Sequence, residues 1–164
     1  MPFQKKKPAP EDTRPLTPDE ALAKVEQFCV YRERSPREVA DKLRELGQTG
    51  EVAEQIFGLL RDEGFFNEER FAHAFAGGKF RINHWGKVKI RLELRARGIP
   101  PSLVEEALAA IPDEDYLAVF QKLMEQKRAQ LARETPAKRR QKLAAYLIQA
   151  GFEQELVFEE LKKG

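Results

Sequence analysis

Apolar residues recur along this chain at three- and four-residue steps, in bursts that end near a glycine, which is the signature of short amphipathic helices. The first burst follows "TPDEAL". Thr17 is placed to cap, Pro18 suits a first helical position, and Asp19 and Glu20 complement the positive helix start. Ala21, Leu22, Val25, Phe28 and Cys29 then share one stripe, so Cys29 is expected to be a buried packing residue. "SPREVADKLRELG", 35 to 47, predicts a second helix, with Ser35 and Glu38 as a capping box, Val39, Ala40, Leu43 and Leu46 on its apolar face and Gly47 as its stop. Val52, Ile56, Leu59 and Leu60 predict a third before Gly64.

"WGKVKIRLELRARG", 85 to 98, is ambiguous in isolation. From Val88 to Arg95 it alternates apolar and charged residues, as a half-buried strand would. A longer register decides the matter. "LRELG" ending at Gly47 aligns with "LRARG" ending at Gly98 and "LIQAG" ending at Gly151, at separations of 51 and 53 residues. Five residues beyond each glycine stand Val52, Leu103 and Leu156; ten beyond stand Phe57, Leu108 and Leu161. An amphipathic helix precedes each unit, at 21 to 31, 68 to about 81 and 116 to about 133. The predicted fold is therefore all-α, three tandem three-helix repeats at 17–64, 65–111 and 112–164, after a Pro/Lys-rich tail at 1–16 that is expected to be disordered.

In this register Val39, Ile90 and Leu143 are equivalent, as are Leu43, Leu94 and Leu147, and the disputed stretch is a helix. Ile90 and Leu94 face its core. Lys87, Arg91 and Arg95 form a basic stripe at i, i+4 and i+8, with Lys89, Glu93 and Arg97 on the other side. Val88 and Leu92, beyond the stripe, are expected to pack on the adjacent unit, with contact to a partner as the alternative.

Charge distribution says more than the net charge of +2. Residues 79 to 97 hold Lys79, Arg81, Lys87, Lys89, Arg91, Arg95 and Arg97 against Glu93 alone, and 122 to 142 form a second basic zone that includes Lys138, Arg139, Arg140 and Lys142. Cations on consecutive turns suit a phosphate backbone or an acidic protein groove, and Trp85 or Phe80 could offer a stacking surface. Catalytic chemistry finds little support. His73 and His84 are isolated, Cys29 is the single cysteine, and the carboxylates, Glu105 among them, read as features of helix starts and loops. Gly77-Gly78 lacks the rest of a phosphate loop and marks either a helix break or a close helix approach. No catalytic residue, metal site or cofactor is expected. With no apolar run of about 18 residues or signal-peptide core, the expected location is the cytoplasm, away from membranes.

"GFFNEERFAHAF" at 64 to 75, "WGKVKIRLELRARGI" at 85 to 99 and "LVEEAL" at 103 to 108 together resemble the central repeat of the RecX family of bacterial regulatory proteins. "SPREVADKLRELG" resembles its first repeat and "RRQKLAAYLIQAGFEQELVFEEL" its third, so the likeness covers roughly 17 to 163. It implies an elongated, curved helical array, a monomer, that binds the RecA filament on DNA, modulates ATP hydrolysis and strand exchange, and usually inhibits. The partners implied are RecA and single- or double-stranded DNA. The matched basic positions are Lys87, Lys89, Arg91, Arg95 and Arg97, preceded by Lys79 and Arg81; Arg70 matches the arginine of an acidic-acidic-Arg-Phe pattern and reads as structural. "GGKFRINHWG" departs from the family's Arg-rich run. The alternative reading is a helix-turn-helix transcriptional regulator, since each unit holds a similar helix pair.

Overall fold

The protein is described here from a computed structural model, in which residues 14–163 are defined. The expected tail at 1–16 therefore lies outside the described residues up to position 13. Residues 14–16 are held: the buried Gln48 side chain donates to the Leu16 carbonyl at 3.1 Å, and Arg14 reaches Glu20 at 3.2 Å.

The described residues form nine helices: α1 Pro18–Tyr31, α2 Pro36–Glu45, α3 Gly50–Asp62, α4 Glu68–Asn83, α5 Lys87–Ala96, α6 Pro101–Ala109, α7 Asp113–Gln130, α8 Pro136–Gln149 and α9 Gln154–Lys162. Local chemistry explains their starts. Thr17 accepts from the Glu20 amide, Asn67 from Arg70 and Thr135 from Lys138, while Ser35 and Glu38 complete the reciprocal capping box. The stops of α2, α5 and α8 share one device. Gly47, Gly98 and Gly151 adopt φ of +78°, +78° and +103°, and the next amide donates back to Leu43, Leu94 and Leu147 respectively. This is a Schellman closure, which needs the left-handed conformation that glycine adopts without strain. In the second and third units the residue after the glycine, Ile99 or Phe152, is buried in the core. In the first unit it is Gln48, which ties down the incoming chain instead.

The α5 backbone is helical, because Ile90 and Leu94 are completely buried whereas the intervening Arg91, Leu92 and Glu93 are not. Burial corrects one row of the repeat register. The residues five beyond the glycines are peripheral, with Val52 40% exposed, and the inward row lies one residue later, at Ala53, Val104 and Val157. Leu59 is likewise peripheral, at 41%. α4 runs unbroken through Gly77 and Gly78, so of the two readings offered there, the helix break does not occur. Gly77 instead accommodates Arg81, whose guanidinium would lie 2.8 Å from a Cβ at that position.

The most extensive helix contacts lie within units, α1 with α2 and α3, α4 with α5 and α6, and α8 with α7 and α9. Two apolar cores result. One gathers Ala21, Val25, Cys29, Val39, Leu43, Ile56, Leu60 and Phe66. The other runs continuously through the second and third units, linked by adjacent rings of Phe80, Tyr116, Phe152 and Phe120 with centroids 5.2 to 5.8 Å apart. Phe80 is thus 4% exposed and cannot stack on a ligand.

The second and third units also meet backbone to backbone. The Gly86 amide donates to the Ala150 carbonyl at 2.8 Å and the Val88 amide to Gly151 at 2.9 Å, so the free donors at the start of α5 satisfy the free acceptors at the end of α8. The Lys87 amide donates to the Tyr116 hydroxyl, which in turn donates to Glu153 at 2.9 Å. Burial, and then the charge of Glu153, pushes the Tyr116 phenol well above its ordinary range, so it stays protonated and keeps that donor role. The first and second units are joined by polar contacts, Arg70 to Glu33 at 2.6 Å and Arg37 to the Ala96 carbonyl at 2.7 Å.

Candidate nucleic-acid interface

The basic residues of α4 and α5 divide between two faces with different surroundings. On one, Lys87, Arg91 and Arg95 follow each other along α5, but α6 brings a carboxylate among them. Arg91 donates through Nε to Glu105 Oε1 at 2.7 Å and through Nη2 to Oε2 at 3.2 Å, a forked pair. These hydrogen bonds hold the Glu105 carboxyl below its ordinary value, and the charges of Arg91, Arg95 and Lys87 add to the effect. Glu105 therefore stands within a helix and pairs with this stripe, rather than serving a helix start. The Lys87 ammonium lies 4.9 Å from the Tyr116 ring centre. Arg95 remains exposed at the end of the row.

The other face gathers residues from three elements. Trp85, on the turn between α4 and α5, has the Lys79 ammonium 4.8 Å and the Lys89 ammonium 4.4 Å from its ring centre. Phe75 stands edge-on to Trp85 at 6.3 Å, with the Arg97 guanidinium at 4.6 Å and Lys79 at 5.6 Å. Arg97 is further fixed by Glu93, at 2.7 Å. Lys79 and Lys89 have aromatic neighbours and, among the described residues, no carboxylate within ion-pair distance, so both charges stay uncompensated while their positions are restrained, each such contact contributing about 0.5–1 kcal/mol at exposed sites. Half-buried aromatic rings flanked by ordered cations can bind a phosphate backbone and stack a base.

Arg81 is exposed on a further side of α4, in a cleft with His73, Gly77 and Asp115, and does not join either face. His84 closes α4 in the left-handed conformation with its Nδ1 buried. Val88 and Leu92 do not pack their side chains on the neighbouring unit as expected: they are 37% and 63% exposed, because that contact is made by the backbone at the start of α5.

In the third unit, Lys138 is exposed and Lys142 pairs with Glu134 at 2.6 Å. Arg139 donates to the carbonyls of Leu131, Ala132 and Glu134, closing the turn between α7 and α8, and Arg140 donates to the Leu161 carbonyl at 3.3 Å. Arg128 joins them from the end of α7. Phe75 and Arg128 are the residues that sequence reasoning left out of the candidate surfaces. The spacing of Phe75 and Lys79, one helical turn, was the available signal for the first; the second lies in the basic zone 122 to 142 but was not singled out within it.

Two family models match this chain, the second three-helix domain of RecX over residues 67–108 and the third over 113–161. The regulatory protein RecX of Clostridium acetobutylicum is 31% identical over 147 residues, covering 87% of this chain and 68% of that protein. The chain belongs to the RecX family. RecX of Geobacillus kaustophilus is 28% identical over 137 residues, which are 84% of this chain and 51% of the relative. The chain thus spans about half the length of several RecX relatives that it matches. Among solved structures, RecX from Lactobacillus salivarius superposes with a TM-score of 0.79 at 21% identity, covering 90% of this chain and 97% of that one, and a second RecX structure with 0.78 at 23%, covering 90% and 74%. At such identity these likenesses establish the fold, an all-α array of three-helix repeats. Among the described residues no helix is long and apolar enough to cross a membrane.

Proposed function

We propose that this RecX-family protein is a non-enzymatic regulator in the cytoplasm that binds the RecA recombinase filament on DNA and modulates its ATPase and strand exchange, chiefly by inhibition, in recombination, repair and the SOS response. The observation that carries the reading is the face built by Phe75, Lys79, Trp85, Lys89 and Arg97 within the unit matched as the second RecX domain. Lys79 and Lys89 are ordered by aromatic rings without a carboxylate partner among the described residues, while Arg97 is paired with Glu93, so two of its three cations stay uncompensated for DNA phosphates or acidic side chains. The Lys87/Arg91/Arg95 stripe is the secondary contact, since Glu105 offsets part of its charge.

The test is RecA's DNA-dependent ATPase with substoichiometric protein present. Wild-type protein lowers the rate, the K79A/K89A/R97A variant loses most of that effect, and K87A/R91A/R95A loses less, each retaining helical circular dichroism. An unchanged ATPase with wild-type protein, together with tight binding to one duplex sequence, would replace this reading with that of a transcriptional regulator.

A further inference from the structure

The third unit holds a cleft of about 410 Å³ lined by Arg128, Pro136, Ala137, Arg139, Arg140, Leu143 and Leu161. Its lining comes from the end of α7, the start of α8 and the end of α9. We propose that this cleft is a phosphate-binding site, distinct from the Trp85 face and independent of any action on RecA.

Three features support it. First, the guanidiniums that line the cleft are oriented by neutral groups. Arg139 is held by three backbone carbonyls through Nε and Nη2, and Arg140 by the Leu161 carbonyl through Nη2, so both keep their full charge and each keeps N–H donors for a ligand. The Arg128 guanidinium has no hydrogen-bond or ion-pair partner among the described residues, and the residue is half-buried against the cleft. Secondly, no carboxylate lines the space; Glu134, the nearest acid in sequence to α8, is engaged by Lys142. Thirdly, the first turn of α8, a helix of 14 residues, contributes Ala137, whose amide lies among those that a helix start leaves without an internal acceptor. Three arginines drawn from two helices around one cleft match a tetrahedral oxyanion better than a planar carboxylate, which one arginine fork already saturates. Leu143, Leu161 and Pro136 add an apolar wall, and the volume suits a group as large as a nucleotide.

The shared chemistry is a phosphate group, and two sources can supply it, a free phosphate monoester or the phosphodiester of a DNA strand. The experiment titrates the full chain, alone and at fixed ionic strength, with inorganic phosphate, deoxyadenosine monophosphate and a single-stranded oligodeoxythymidylate, following backbone amide resonances and heat of binding. Shifts at Ala137 and Leu161 are expected. R128Q should weaken the affinity about tenfold or more, the factor that one charge-assisted hydrogen bond carries, with unchanged thermal unfolding, and R128K should fall between. Saturation by phosphate or the mononucleotide identifies the free monoester; saturation by the oligonucleotide alone identifies the strand. Absence of shifts at the cleft with all three ligands, affinity unaltered by R128Q, or preference for a polyglutamate peptide would each overturn the proposal. Because RecA is absent throughout, failure here leaves the ATPase reading untouched, and failure of the ATPase reading leaves this one.

Discussion

Replacing Gly86 with alanine should separate the second unit from the third. The residue has an ordinary backbone conformation, φ −74°, so alanine adopts it freely and space alone decides the outcome. A Cβ there would fall 2.2 Å from the Gly151 carbonyl carbon and 2.3 Å from both its oxygen and the Phe152 nitrogen. All three are backbone atoms, so no rotamer change relieves the contact. Overpacking of this kind costs about 1–3 kcal/mol. Moving the chains apart also strains the Gly86–Ala150 and Val88–Gly151 hydrogen bonds, at about 1 kcal/mol net for each. The combined loss is ~3–5 kcal/mol, which in a chain of this size lowers the melting temperature by roughly 10 °C. Gly78→Ala supplies the control. A Cβ there meets nothing within 4 Å and the position lies inside α4, so helix propensity should raise stability by about 0.5–1 kcal/mol. The assay is thermal unfolding followed by circular dichroism, with hydrogen exchange at the Val88 amide. A Gly86→Ala protein that melts within about 2 °C of wild type, a shift worth under ~1 kcal/mol, and that still protects the Val88 amide would refute the argument.

Other consequences are smaller or more local. Glu105→Gln should free Arg91 yet change RecA inhibition by less than about twofold if the Trp85 face dominates; a larger gain in a dose–response titration would move the interface to the α5 stripe. The same pair fixes a pH dependence: because the folded Glu105 pKa is lowered, its contribution, ~0.5 kcal/mol for so exposed a pair, is present above the ordinary carboxylate pKa and lost as pH falls through the lower folded value, which urea titrations of wild type and Glu105→Gln would resolve. Ser35→Ala removes the capping box and should destabilise the first unit by about 1 kcal/mol, seen in denaturant midpoints. Cys29 is buried and its thiol pKa is raised chiefly by that burial, so it should react with an alkylating reagent far more slowly at neutral pH in the native than in the unfolded protein.

How much of this was legible beforehand follows from the range of each interaction. The capping box at Ser35 and Glu38, and the glycine stops, are set within five residues, so their chemistry is written locally. The repeat register then rescued α5 from a misleading alternation, because three copies of one pattern outweigh a single window. The inward row of each third helix was misplaced by one residue, since two apolar side chains stand side by side at Leu103 and Val104 and at Leu156 and Val157, and only packing chooses between them. A helical wheel correctly parted Lys87, Arg91 and Arg95 from Lys89, Glu93 and Arg97, but it holds no information on α6. Glu105, fourteen residues from Arg91, changes the electrostatics of the first set. The convergence of Lys79 and Arg97 over Phe75 likewise depends on how α4 crosses α5.

The two cores add a mechanical consequence to these surfaces. The second and third units share continuous apolar packing and a backbone joint, so the Trp85 face and the arginine cleft belong to one body. The first unit has its own core, which takes in Phe66 of the segment leading to α4, and otherwise meets that body through Arg70–Glu33 and Arg37–Ala96, contacts of mostly exposed side chains worth about 1 kcal/mol each. Of the two joints among the described residues, the one between the first and second units is thus the less extensively bonded. A filament-binding surface split across such a junction would lose affinity to ordering, whereas both candidate surfaces lie on the side where that cost is already met by folding. The R37A/R70A variant should accordingly broaden the distribution of shapes in small-angle scattering while leaving the cation–aromatic face and its ATPase effect intact. Loss of ATPase modulation in that variant would show that the first unit takes part in the contact and that its orientation is set by these two bonds.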